Sequence, residues 1–199
     1  MNIVVLCSGS GTNLQAIIDS VKSGYIPARI ALVVSDKKDA LALERAKKAG
    51  IETLVLNAKD FASREDFDKE VAKNLKKRDI GLVVLAGFMR LLSPYFIGEY
   101  RNRIMNIHPA LLPSFKGTRA IKDALVYGVK VTGATVHFVD EEPDCGPIIL
   151  QKAVEVKEGD TEETLLERVH AEEHRIYTEA IKLFVEGRLK TEGRRIRIT

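Results

Sequence analysis

Asn106 and His108 stand two residues apart in the stretch Met105-Asn106-Ile107-His108-Pro109-Ala110-Leu111-Leu112-Pro113. On an extended strand, residues i and i+2 point to one face, so the amide and the imidazole would share a side. Pro109 then stops the strand pattern. An amide can donate to a developing oxyanion, and an imidazole can hold or pass a proton near neutral pH. Asp144 follows His108 by 36 residues. If its loop returned to the same sheet edge, its carboxylate would fix the imidazole tautomer and favour the charged form. Such a trio suits attack on a carbonyl-like carbon. The plainer alternative is a polar strand end plus a turn aspartate, and spacing alone does not choose between them.

Other chemistry is less well supported. No serine stands in a Gly-x-Ser-x-Gly elbow. Cys145 has no cationic neighbour within its own loop to activate it as a nucleophile. Direct attack by a substrate amine is therefore expected, rather than a covalent enzyme intermediate. His137 alternates with apolar neighbours on a strand, a pattern that favours a satisfied structural histidine over a catalytic one. His170 and His174 are spaced i, i+4, but Ala171 occupies the position that a His-Glu-x-x-His site gives to glutamate. With no third ligand evident, no metal is expected.

The elements that would position these residues alternate along the chain. Ile3 to Leu6 is a continuous apolar run, as in a buried parallel strand. It meets Cys7-Ser8-Gly9-Ser10-Gly11-Thr12-Asn13 and then a helical pattern of Leu14, Ile17, Ile18 and Val21. Strand, glycine loop and helix together make an anion site, because small residues admit a phosphate to the free N–H groups of a helix start. Leu14 stands where a dinucleotide fingerprint needs its third glycine, so a lone phosphate fits better than a pyrophosphate. Strands are expected at Ile30 to Val34, Thr53 to Leu56 and Leu82 to Ala86, and helices at Ala40 to Ala49 and Ser63 to Arg78, where Ser63 and Asp66 form a capping-box-like start. This alternation argues an α/β fold with a doubly wound, mostly parallel sheet in its N-terminal half. The loops at Gly9 and Gly87 and the Asn106 strand end would then meet at one sheet edge.

After His108 the pattern changes. Pro109 to Gly128 opens as a mobile loop and continues into a helical piece at Ala120 to Tyr127. Val131 to Val139 and Ile148 to Val156 read as antiparallel strands around the polar loop Asp140 to Pro147. A long helix over Thr161 to Val185 and a small hairpin over Leu189 to Ile198 complete a single domain spanning 1–199.

Composition narrows the function class. The net charge is only +3, and the basic excess sits in Arg188 to Thr199 without interleaved aromatics, so nucleic acid is not an expected partner. Two cysteines give no disulfide framework and suit a reducing cytoplasm. No apolar run is long enough for a membrane span.

Ser8-Gly9-Ser10-Gly11-Thr12-Asn13-Leu14-Gln15, Leu85-Ala86-Gly87-Phe88-Met89-Arg90-Leu91-Leu92, Asn106-Ile107-His108-Pro109, Leu112-Pro113 and Asp144-Cys145-Gly146-Pro147-Ile148 together resemble the phosphoribosylglycinamide formyltransferases. The resemblance runs from about residue 2 to about residue 190. It implies transfer of a formyl group from 10-formyltetrahydrofolate, as co-substrate, to the amine of glycinamide ribonucleotide in purine synthesis. By position, Asn106, His108 and Asp144 are the implied catalytic trio. Gly11, Thr12 and Asn13 are the implied phosphate cradle, and Glu173 the ribose contact. The implied folate contacts are Arg64, Met89, Arg90, Leu91, Leu92, Asn106, Asp140, Glu141 and Asp144. The expected assembly is a monomer or homodimer. Three positions depart from the pattern: Thr12 where some relatives carry serine, Ile121 where many carry histidine, and Cys145 where glycine is common.

Rival readings predict different features. A methionyl-tRNA formyltransferase would be expected to extend well beyond Gly187, and a formyltetrahydrofolate hydrolase to carry an N-terminal regulatory domain. A nicotinamide-dependent reductase would want an acidic ribose contact about 20 residues past the glycine loop. Asp36 lies 25 residues past Gly11.

Overall fold

The computed structural model describes residues 1–199. The chain forms two compact units, Met1–Asn106 and Ile107–Thr199. The first alternates strands and helices: β1 (Asn2–Cys7), α1 (Thr12–Lys22), β2 (Arg29–Ser35), α2 (Leu41–Lys48), β3 (Thr53–Val55), α3 (Arg64–Lys76), β4 (Ile80–Leu85), α4 (Pro94–Glu99) and β5 (Ile104–His108), whose last two residues begin the second unit. Its strands run parallel in the order β3-β2-β1-β4-β5. That order is a doubly wound one, built outward in both directions from β1. The continuous apolar runs are explained by burial: Ile3 to Leu6, Leu32 to Val34 and Leu82 to Val84 are all fully buried.

Local signals place the helices. The Ser63 side chain accepts the Asp66 N–H and starts α3. Ser93 caps α4 with Pro94 in the first turn. This short helix is not anticipated by apolar periodicity, since it has only six residues.

The second unit contains α5 (Ala120–Tyr127), β6 (Val131–Phe138), β7 (Ile148–Glu155), α6 (Glu162–Val185), β8 (Leu189–Glu192) and β9 (Arg195–Ile198). β6 and β7 pair antiparallel, as do β8 and β9, and the strand order is β6-β7-β9-β8. The Thr161 side chain accepts the Thr164 N–H and the Thr164 side chain returns to the Thr161 N–H, which closes a capping box at the start of α6. Leu165, Val169, Ile176, Tyr177, Ala180 and Ile181 form its buried stripe, and α6 packs on β6 and β7. Each fully buried aliphatic side chain there contributes about 1.5–3 kcal/mol. The fold is therefore α/β, with a doubly wound parallel N-terminal sheet followed along the chain by antiparallel strands and a long helix. No helix is long and apolar enough to cross a membrane.

The segment after Pro109 is anchored where a mobile loop was expected. Thr135 Oγ1 donates to Ala110 O at 2.6 Å and accepts the Leu112 N–H at 3.1 Å. Gln151 Nε2 donates to Leu112 O and to Thr135 Oγ1, both at 2.9 Å. Two polar side chains on neighbouring antiparallel strands thus hold the backbone of residues 110–112. Sequence periodicity reads such side chains only as strand residues.

Candidate active site

In the first unit, the carboxyl ends of β1 and β4 lie side by side. The Ser8 N–H donates to Gly87 O at 3.0 Å, and the Met89 N–H donates to Ser8 Oγ at 2.9 Å. Leu85 on β4 pairs in register with Asn106 on β5. The Gly9 loop, the Gly87 loop and Asn106 therefore do meet at one edge, as the strand pattern implied.

Gly11 is the N-cap of α1, in a left-handed conformation with φ 72°, and no side chain caps the helix. A Cβ on Gly11 would lie 2.7 Å from both Cα and Cβ of Ala42, so only glycine fits. Thr12 and Asn13 are the first helical residues. A helix start of this kind points its leading N–H groups toward an anion.

The segment after Gly87 presents two exposed apolar side chains. Met89 is 64% exposed and Leu91 58%, while Phe88 and Leu92 are buried. Two large apolar side chains two residues apart thus face solvent in one loop. Arg90 lies over the Phe67 ring, 4.7 Å from its centroid, with its Nε buried and lacking a hydrogen bond. Asp68 is buried and accepts the Ser93 N–H at 2.5 Å. Burial pushes its carboxyl up, against the opposing pull of Ser93 and of the Arg90 and Arg64 charges. The Asp68 contact fixes the far end of the loop. Arg64 stands exposed in the first turn of α3.

In the second unit, Asp144 stands between two imidazoles. Its Oδ2 lies 3.7 Å from His108 Nδ1, and its Oδ1 lies 3.8 Å from His137 Nε2. Oδ2 also accepts the Gly117 N–H at 2.9 Å. His108 Nε2 lies 2.8 Å from Phe115 O. A carbonyl can only accept, so Nε2 carries a proton and Nδ1 is the nitrogen that faces the carboxylate. His108 and His137 are both buried. Burial pushes the His137 imidazole down, while its hydrogen bond to Phe138 O and the charge of Asp144 oppose that shift. Burial thus works against charging His137, beside a carboxylate that His108 also approaches.

The backbone around this cluster is strained. Phe115 has φ 50° and Asp144 φ 54°. Such a conformation costs a non-glycine residue about 1–3 kcal/mol and persists where its surroundings demand it. Asp144 tolerates it through its short polar side chain, but Phe115 does not have that excuse. Both residues contact the His108 imidazole, which points to a site as the reason.

Glu173 lies within the apolar stripe of α6, 3% exposed, with Oε2 3.8 Å from His170 Nε2. A solvated helix charge would not be buried so, and a buried carboxylate requires polar partners. Of the polar-loop residues, Asp140 has a buried Oδ1 without a hydrogen bond, and Glu141 is exposed. Ile121 is a buried residue of α5 and contributes only packing.

The family described as Formyl transferase matches residues 1–181. Over 96% of this chain and 90% of its own length, the phosphoribosylglycinamide formyltransferase of Escherichia coli strain K12 is 49% identical. This chain belongs to the formyl transferase family. Within it, the chain groups with the phosphoribosylglycinamide formyltransferases and is a one-carbon transferase. The crystal structure of glycinamide ribonucleotide transformylase 1 from Symbiobacterium toebii superimposes with a TM-score of 0.98 at 55% identity, covering 100% of this chain and 93% of that one. The chain is also 50% identical over 94% of its length to the trifunctional purine biosynthetic protein adenosine-3 of Gallus gallus, of which it spans only 19%.

Sequence reasoning missed several residues of this formyltransferase. His137, read as structural, shares Asp144 with His108; its place on the strand just before the Asp140 loop was the available signal. The Cys145 expectation also changes. Lys116 Nζ lies 2.6 Å from Cys145 Sγ and 3.7 Å from Glu142 Oε1, so the thiol does have a cationic neighbour. That neighbour comes from another loop 29 residues earlier, which local inspection cannot detect. Ser8, Phe115 and Gly117 act through hydroxyl or backbone atoms, and no residue pattern signals them.

Proposed function

We propose that this formyltransferase moves the formyl group of 10-formyltetrahydrofolate to the amine of 5-phosphoribosylglycinamide in de novo purine biosynthesis. The observation that carries this reading is the His108–Asp144 pair, held by strained backbone at the end of the strand that also bears Asn106. The names of the relatives supply the acceptor, and the exposed apolar loop at Met89 and Leu91 suits a flat pterin ring.

The roles follow from residue chemistry. Gly11, Thr12 and Asn13 hold the nucleotide phosphate through the start of α1, and Glu173 accepts from ribose hydroxyls. Met89, Arg90, Leu91 and Leu92 grip the pterin, while Arg64, Asp140 and Glu141 serve the rest of the folate. The glycinamide nitrogen attacks the formyl carbon, and a tetrahedral intermediate forms. Asn106 and protonated His108 stabilise its oxyanion. Asp144 orients His108 and, through a water, relays the proton from the amine to the folate nitrogen as the carbon–nitrogen bond to folate breaks. Both units of the chain then serve one formyltransferase domain, and no metal takes part.

The test is a formyl-transfer assay with both substrates, following formylated product. Product formation that requires both substrates is the expected result. Release of formate without acceptor would overturn the reading in favour of a hydrolase.

A further inference from the structure

A cavity of about 540 Å³ opens in the first unit off the carboxyl ends of β1, β2 and β3. Its walls come from the loop Ser8–Ser10 after β1, from Asp36, Lys37 and Lys38 after β2, and from Val55 and Lys59 around the end of β3. Leu41, at the start of α2, closes another side. Thr12 and Asn13, at the start of α1, are not among the lining residues. Its volume falls within the roughly 300–1,000 Å³ usual for small-molecule sites.

The lining chemistry is unusual for an idle crevice. Lys37, Lys38 and Lys59 are exposed, and none is ion-paired to a carboxylate. Asp39 also lines the cavity, so three lysines face two aspartates and the balance favours an anion. Asp36 Oδ1 is buried and has no hydrogen bond, an acceptor withdrawn from water without compensation. Leu41 is 53% exposed and Val55 41% exposed, giving apolar surface beside the charges. No side chain caps the start of α2.

Position adds a second argument. Open α/β sheets bind ligands outside the carboxyl ends of their strands, and the acid that takes a nucleotide's ribose stands at the end of the second strand. Asp36 is the first residue after β2. We propose that this cavity binds a nucleoside mono- or diphosphate at a site separate from the transfer reaction. Asp36 accepts from the ribose hydroxyls, Leu41 and Val55 cover the base, and the three lysines meet the phosphates. The Ser8–Ser10 wall leads directly into Gly11, so a ligand here touches the loop that presents the phosphate cradle.

Calorimetric titration of the full chain with ADP tests this. Saturable one-to-one binding is expected, persisting in the presence of saturating glycinamide ribonucleotide. The triple variant Lys37→Ala/Lys38→Ala/Lys59→Ala, altered only at exposed side chains, is expected to bind ADP at least about tenfold more weakly with unchanged formyl transfer. Asp36→Asn is expected to weaken ADP but leave inorganic pyrophosphate binding unaltered, because it reads the ribose. Absence of saturation at millimolar ADP would overturn the proposal. So would ADP binding that is displaced by glycinamide ribonucleotide and indifferent to the lysine variant, which would place the nucleotide in the phosphate cradle. Equal ADP affinity in Asp36→Asn would overturn the nucleoside assignment.

Discussion

His108 Nδ1 and Asp144 Oδ2 are 3.7 Å apart, an ion-pair separation rather than a hydrogen bond, while the Gly117 N–H holds the same oxygen at 2.9 Å. The carboxylate is thus positioned by backbone and acts on the imidazole through its charge. His108→Ala and Asn106→Ala should each lower turnover by roughly 10²-fold or more, the loss usual for an oxyanion donor. Asp144→Asn should lower it comparably, since it keeps the shape and removes the charge. Circular dichroism should be unchanged in all three, and near-normal kcat in Asn106→Ala or His108→Ala would end the assignment.

Acid should destabilise the protein through its buried and half-buried histidines. His137, His170 and His174 are all pushed below the ordinary histidine value of 6.5, chiefly by burial. The folded state therefore declines protons that the unfolded chain accepts near pH 6.5, so stability falls as pH drops through that value. Asp68, pushed up by burial, works in the opposite sense but near the carboxylate range, at lower pH. Thermal melts between about pH 7.5 and pH 5.5 should show a falling Tm, with a shallower fall in His137→Gln. An identical slope in the variant would count against the role of His137.

Gly11→Ala combines two penalties, a φ of 72° and a Cβ 2.7 Å from Ala42. Relief requires α2 or the loop to shift, at a cost of about 1–3 kcal/mol. The expected result is a lower Tm and a raised KM for glycinamide ribonucleotide, with a smaller change in kcat. Unchanged KM would remove Gly11 from the phosphate cradle.

The two thiols should differ sharply in reactivity. Cys7 is buried in β1 with Sγ 3.5 Å from Val34 O, and burial pushes its thiol up to about 12. Cys145 is half-buried with the Lys116 ammonium beside it. A disulfide reagent should titrate one thiol in the native protein and two in denaturant, and Cys145→Ser should abolish the native signal. Rapid modification of both native thiols would contradict the burial of Cys7.

Local order was largely present in the sequence. The apolar runs at Ile3 to Leu6 and Leu82 to Ala86 read as buried parallel strands, and glycine with helical periodicity after Cys7 marked the loop and α1. Ser63 announced its helix because capping uses atoms within three residues. Asn106 and His108 were visible as a pair because a strand repeats every two residues. The partners of His108 were decided by tertiary structure. Phe115 and Asp144 reach it from 7 and 36 residues away, the first through a backbone carbonyl, and Gly117 holds the carboxylate through its N–H; backbone atoms carry no residue signature. The same holds for Lys116 beside Cys145, for His137 on the shared carboxylate, and for the burial of Glu173. Periodicity reports which face a residue takes on its own element, and only the packed chain determines what that face meets.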